Sequence, residues 1–143
     1  MRRYLTFLAL FFCVGCHSNV NQVEYVIPNG FQGTIIIRRE PGAPEIPKVN
    51  GRYVLNIRED GTFVFDGYDP FHPHLRTARF ANGDPIWVST RGDRPEARQI
   101  ALFGGYTSVE WSTEKGQGVP DYRIFIGTEE QWRNSSAKDR KEE

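Results

Sequence analysis

Between Val23 and Trp132 no stretch holds a helical period for ten residues until the last few, and glycine, proline and asparagine interrupt every apolar run. A chain punctuated this way buries its side chains through short strands. The clearest element is Tyr53–Phe65. Tyr53, Leu55 and Ile57 alternate with Val54, Asn56 and Arg58, Asp60-Gly61 turns the chain, and Phe63 and Phe65 resume the alternation. The pattern predicts a hairpin in which Tyr53 to Arg58 runs antiparallel to Thr62 to Asp66, with the five apolar residues facing a core. Val23 to Ile27 is a β-prone run closed by Pro28-Asn29-Gly30, and Gln32 to Arg38 contains Ile35-Ile36-Ile37. Arg39 to Asn50 carries three prolines and one glycine and reads as a long loop or edge crossing. Gly67 to Leu75 is a second loop. Arg76 to Phe80, Pro85 to Ser89, Gln99 to Phe103, Ser108 to Ser112 and Tyr122 to Gly127 are further strands, separated by Asn82-Gly83-Asp84, Gly104-Gly105 and Gly116-Gln117-Gly118.

One helix is expected. Thr128-Glu129-Glu130-Gln131 fits a capping box, the acids suit the helix dipole, and a short helix through Trp132 follows. The fold class is therefore mainly β. It is a single antiparallel β-sandwich-like domain, with a transthyretin-like topology as one form of it, and a short C-terminal helix.

The N-terminus reads differently. Arg2 and Arg3 precede an apolar run, Tyr4 to Val14, too short for the roughly 20 residues that cross a bilayer. Cys13-Val14-Gly15-Cys16 follows, and resembles the lipobox of bacterial lipoproteins, with Cys13 where leucine is usual. The resemblance implies a signal peptide over residues 1–15, removal of that segment, and lipid on Cys16. Residues 16–22 form a tether, 23–132 the β domain, and 133–143 a polar tail expected to fray. His17 and Ser18 leave no aspartate after the cysteine. By the lipoprotein sorting rule this favours the periplasmic face of the outer membrane in a Gram-negative host, and otherwise the cell membrane.

Processing fixes the chemistry left to the domain. Cys13 departs with the signal and Cys16 is consumed by lipid, so the folded part has no disulfide, thiol nucleophile or thiolate metal site. Loss of Arg2 and Arg3 leaves 16 basic against 18 acidic residues. That balance offers no broad attraction for nucleic acid, and none is expected as a partner.

Tyr25-Val26-Ile27-Pro28-Asn29-Gly30-Phe31-Gln32-Gly33 and Phe125-Ile126-Gly127-Thr128-Glu129-Glu130 resemble the two ends of an uncharacterised bacterial lipoprotein domain family. Its members open on Tyr-x-Ile-Pro-x-Gly-aromatic-x-Gly and close on Phe-x-Gly-Thr-x-Glu. The resemblance implies one exported domain over most of the mature chain and adds no mechanism. Both motifs also have structural explanations: a turn that folds Phe31 onto the core, and a strand end followed by a helix cap.

Few residues offer chemistry. His72-Pro73-His74 lies in an aromatic loop with Asp69, and in an extended segment both imidazoles would share a face. Two histidines and a carboxylate can hold a catalytic metal, but without a third spaced ligand the expectation is no metal and no cofactor. Tyr68, Phe71 and Tyr106 are the candidate binding residues, and Trp87 and Trp111 stand in strand patterns that favour burial. Arg91-Gly92-Asp93 occupies a charged turn. There is no Gly-x-Ser-x-Gly elbow, phosphate-binding loop or HExxH motif, and no catalytic residue is assigned. The resulting reading is a lipid-anchored envelope protein, a non-catalytic binding or structural module whose partner is the membrane through its lipid, with another envelope protein as a second partner class. The alternatives are a carbohydrate- or peptidoglycan-binding module and a metal-dependent hydrolase.

Overall fold

The computed structural model describes residues 20–72, 74–90, 93–112 and 117–139, with side chains given outside 105–120 and 137–139. The signal segment and Cys16 lie outside this range. Among the described residues nine strands form one curled sheet: β1 (Asn21–Ile27), β2 (Gly33–Arg39), β3 (Lys48–Val49), β4 (Arg52–Asn56), β5 (Thr62–Phe65), β6 (His74–Phe80), β7 (Pro85–Val88), β8 (Ala101–Ser112) and β9 (Gln117–Gly127). Their order is β3-β4-β1-β6-β7-β8-β9-β2-β5, and one helix, α1 (Glu129–Asp139), follows. The mainly-β expectation with a C-terminal helix holds. The sheet is mixed rather than antiparallel, because β1 pairs in parallel with β4 and β6, β2 with β5, and β7 with β8.

The predicted hairpin is corrected in one respect. Leu55, Ile57 and Phe65 are buried, and Tyr53 and Phe63 pack against the core, as the alternation requires. Yet β4 and β5 do not pair with each other. Each crosses the core and joins a different half of the sheet, β4 beside β1 and β5 beside β2. Arg58 still donates its N–H to Thr62 O at 3.0 Å, so the tight turn exists and the ladder stops there. Period-two alternation fixes which side chains point inward. It does not fix whether the backbone hydrogen bonds of two successive strands point at each other or sideways.

The same arch occurs between β1 and β2. Phe31 N–H donates to Pro28 O at 3.1 Å and Gly30 takes φ 74°, the turn the Pro-Asn-Gly signal predicts. The two arches stack. Ile57 N–H bonds Val26 O and Ile36 N–H bonds Gly61 O, both at 2.9 Å. Tyr25, Ile27 and Leu55 then face Ile35, Ile37, Leu102, Ile124 and Ile126 in one apolar layer.

The proline-rich segment runs along the β5 edge, with Glu40 N–H on Phe65 O and Asp66 N–H on Pro44 O, before it enters β3. The Asn50-Gly51 turn there, with φ 50° and 81°, makes β3–β4 a true hairpin, which the sequence reading leaves inside the loop. Gly104-Gly105 does not end a strand either. β8 continues through it with a register shift, and Gly104 at φ 75° forms a bulge.

The capping box is present. Gln131 N–H donates to Thr128 Oγ1 at 3.3 Å, and Thr128 N–H to Gln131 Oε1 at 2.8 Å. The helix runs beyond Trp132, through the segment expected to fray, as far as Asp139. Trp132 lies flat on Phe103, ring centroids 5.1 Å apart, and so covers the outer face of β8.

Two predictions follow from this packing. Gly30 and Gly61 share a positive φ, 74° and 78°, but a Cβ at Gly61 would sit 2.7 Å from Phe31 Cζ and 2.9 Å from Thr34 O, whereas Gly30 has open space. Gly30→Ala should cost about 1 kcal/mol of backbone strain, and Gly61→Ala clearly more, read from urea midpoints. Equal losses would mean that the arches do not touch. Thr128→Ala should cost about 1 kcal/mol and speed amide exchange at Gln131; unchanged exchange would remove the cap from the account.

Candidate functional site

The β5–β6 loop carries most of the residues singled out from the sequence, and it is built around Asp69. Its Oδ1 accepts the Phe71 N–H at 2.8 Å, and its Oδ2 accepts the Tyr122 hydroxyl. The phenol is pushed above its ordinary range, by burial first and by the Asp69 carboxylate second, so Tyr122 stays a neutral donor. Phe71 is buried among Phe65, His74 and Tyr122, with centroids 5.8, 5.7 and 4.6 Å away. It plugs this end of the core.

His72 and His74 differ in exposure. His72 is exposed, its ring 5.7 Å from that of Tyr122. His74 opens β6 and is half-buried. Its Nδ1 lies 2.6 Å from Phe71 O, which fixes the tautomer that carries the proton on Nδ1. Nε2 is then a bare lone pair, buried and without a partner. Both Asp69 oxygens are engaged inside the loop. Among the described residues no group of three or more metal-ligating side chains gathers.

Tyr68 is the exposed member. Its ring stacks on Tyr53 at 5.7 Å, and its hydroxyl accepts a hydrogen bond from Asn21 Nδ2 at 3.1 Å. Lys48 Nζ lies 4.9 Å above the Tyr53 ring centroid. The three make a small aromatic and cationic platform beside the first residue of β1. Trp87 is half-buried on β7. The side chains of Tyr106 and Trp111, and residues 91–92, lie outside the described residues.

At the opposite end the two arches and the β6–β7 turn frame an open depression of about 630 Å³, lined by Val26, Phe31, Asn56, Ile57, Glu59 and Ala81 among others. The opening motif supplies Val26 to Phe31 to its lining, and the stacking of two turns far apart in the chain brings Asn56, Ile57 and Glu59 against them. Asn29 Oδ1 is already committed there to Asn82 N–H at 2.9 Å.

No family model and no curated protein matches this chain. Among solved structures, that of a candidate lipoprotein from Bacillus anthracis superposes with a TM-score of 0.44 and 17% identity, over 76% of this chain and 70% of that one.

The His74 environment has a measurable consequence. Its imidazole is held below the ordinary value of 6.5, chiefly because burial disfavours the charged ring, while the hydrogen bond to Phe71 O works the other way. Below that pH the unfolded chain binds a proton that the fold resists, so stability falls as pH drops. Urea midpoints should decline between about pH 7.5 and 5.5, and His74→Gln should flatten the decline. The same slope in both proteins would take His74 out of the pH response.

Proposed function

We propose that this chain is a lipid-anchored protein of the bacterial envelope whose β domain acts as a binding or structural module held close to the membrane. The observation that carries the reading is the junction between signal and fold. Cys16 follows a charged start and a short apolar run, and β1 begins at Asn21, five residues later. A tether of that length reaches at most about 17 Å. Among the described residues no helix is long and apolar enough to cross a membrane, so the lipid would supply the attachment. Two or more acyl chains hold stably where one does not.

The site geometry supports a binding or structural role. The carboxylate in the loop clamps backbone and phenol, and the histidine nitrogen left free is buried. The absence of aspartate after Cys16 favours the periplasmic face of the outer membrane in a Gram-negative host.

Attachment through acyl chains is insensitive to ionic strength, since salt screens only charge. The wild-type protein should stay in the membrane fraction through salt washes, leave it with detergent, and carry acyl mass on its first peptide. Cys16→Ser should appear without that mass and outside the detergent-soluble membrane fraction. A mutant that stays in the membrane at the wild-type level would overturn the assignment.

A further inference from the structure

Three large apolar side chains among the described residues stand mostly in solvent: Val49 at 53%, and Tyr68 and Leu75 at 59% each. They are far apart in sequence and together in the fold. Val49 pairs with Arg52 across the β3–β4 hairpin, Arg52 Nε donates to Gln22 Oε1 at 3.1 Å, and Gln22 pairs with Leu75. Val23 and Tyr25 point into the core, so this row lies on the outer face of the sheet. It spans four strands, roughly 14 Å at the usual strand spacing. Tyr68 lies at the same end of the sheet but on its other side, stacked on Tyr53 and tied to Asn21.

We propose that this end of the sheet, with the row on its outer side and Tyr68 on the other, rests on a phospholipid bilayer, the membrane to which Cys16 is attached. The inference rests on the lipid-anchor reading. Its first support is the tether. The row contains Gln22, the second residue of β1, so a lipid on Cys16 lies within about 20 Å of Gln22 and within about 30 Å of the row's far strand. The second support is composition. The row holds Val49, Arg52, Gln22 and Leu75 and no carboxylate, and Lys48, over the Tyr53 ring, adds a cation on the other side of the same end. Glu24, on the same face one position further from the end, is paired with Arg79 at 3.4 Å. Apolar side chains flanked by cations and an aromatic hydroxyl suit the headgroup region, where long basic side chains lay their stems on apolar surface and direct their charge to phosphate. The third support is polarity: the arch end of the domain exposes no large apolar side chain among the described residues.

The test uses the full-length acylated protein in vesicles of phosphatidylcholine and phosphatidylglycerol. With Cys13 removed and the Cys16 thiol acylated, one introduced cysteine takes a nitroxide label. Leu75→Cys and Val49→Cys report on the face, and Glu59→Cys, at the arch end, on water. All three positions are exposed except for the packing of their neighbours, so the core is untouched. The ratio of oxygen to nickel-complex accessibility should be severalfold higher at 75 and 49 than at 59. Equal nickel access at all three, in protein that floats with the vesicles and carries acyl mass, overturns the docking face and leaves the anchor standing. Shielding that disappears as lipid is added at constant protein assigns the face to a second copy of the chain and also overturns it. Absence of acyl mass, with a second label on Cys16, brings down the anchor and this inference with it.

Discussion

Two turns carry the chain across the core instead of back along itself, and the rest of the fold depends on them. At Pro28–Phe31 and again at Arg58–Gly61, successive strands place their inward side chains face to face and their backbone hydrogen bonds sideways. Neither arch could stand alone, since each leaves its strands without a ladder. Stacked in parallel, they satisfy each other: β1 pairs with β4, β2 with β5, and the turns are stitched by Ile57 to Val26 and Ile36 to Gly61. β6 then extends one half and β9 the other, and β7–β8 closes the path between them.

The outer faces need separate cover. On one half, α1 lays Trp132 on Phe103, which is why Phe103 is buried although it points away from the core. Beside it, the cross-strand pair Arg38 and Asp121 closes with two hydrogen bonds of 3.0 and 2.9 Å. Asp121 is 1% exposed and the Arg38 side chain 41%. Water therefore reaches the cation and not the carboxylate. The geometry is bidentate, the arrangement that best offsets the desolvation of a buried acid. Removing the arginine would strand that acid, so the pair holds register between β2 and β9 more than it adds net stability.

What was legible in the sequence was local. Alternation marked Leu55, Ile57 and Phe65 as core, the Pro-Asn-Gly turn put φ > 0 at Gly30, and Thr128 with Gln131 announced the cap. Strand partners were not legible, because a hairpin and an arch demand the same alternation of Tyr53 to Phe65. Asn50-Gly51 did carry a hairpin signal, hidden beside three prolines that argue for a loop. Gly104-Gly105 looked like a boundary because glycine marks bulges and turns alike. At the loop, the spacing of His72 and His74 suggested a shared face. The fold shows that the strand begins at His74 and that His72 stands in the loop before it.

Topology and tether together give the domain a direction. β1 starts at the tether, and β4 and β6 run parallel to it, so all three deliver their turns to the far end. There the arches enclose the 630 Å³ depression with Phe31, Ile57 and Val26 as its apolar wall and Asn56 and Glu59 on its lining. That volume is within the range of small-molecule sites. Tyr68, Leu75 and Val49 occupy the near end, beside Asn21. On the proposed anchor, a tether of at most about 17 Å holds the near end toward the bilayer and leaves the arches toward water. A partner arriving from the aqueous side would meet the arches first. The parallel pairing that lets the two arches stack is thus also what places the start of β1 and the depression at opposite ends of the sheet.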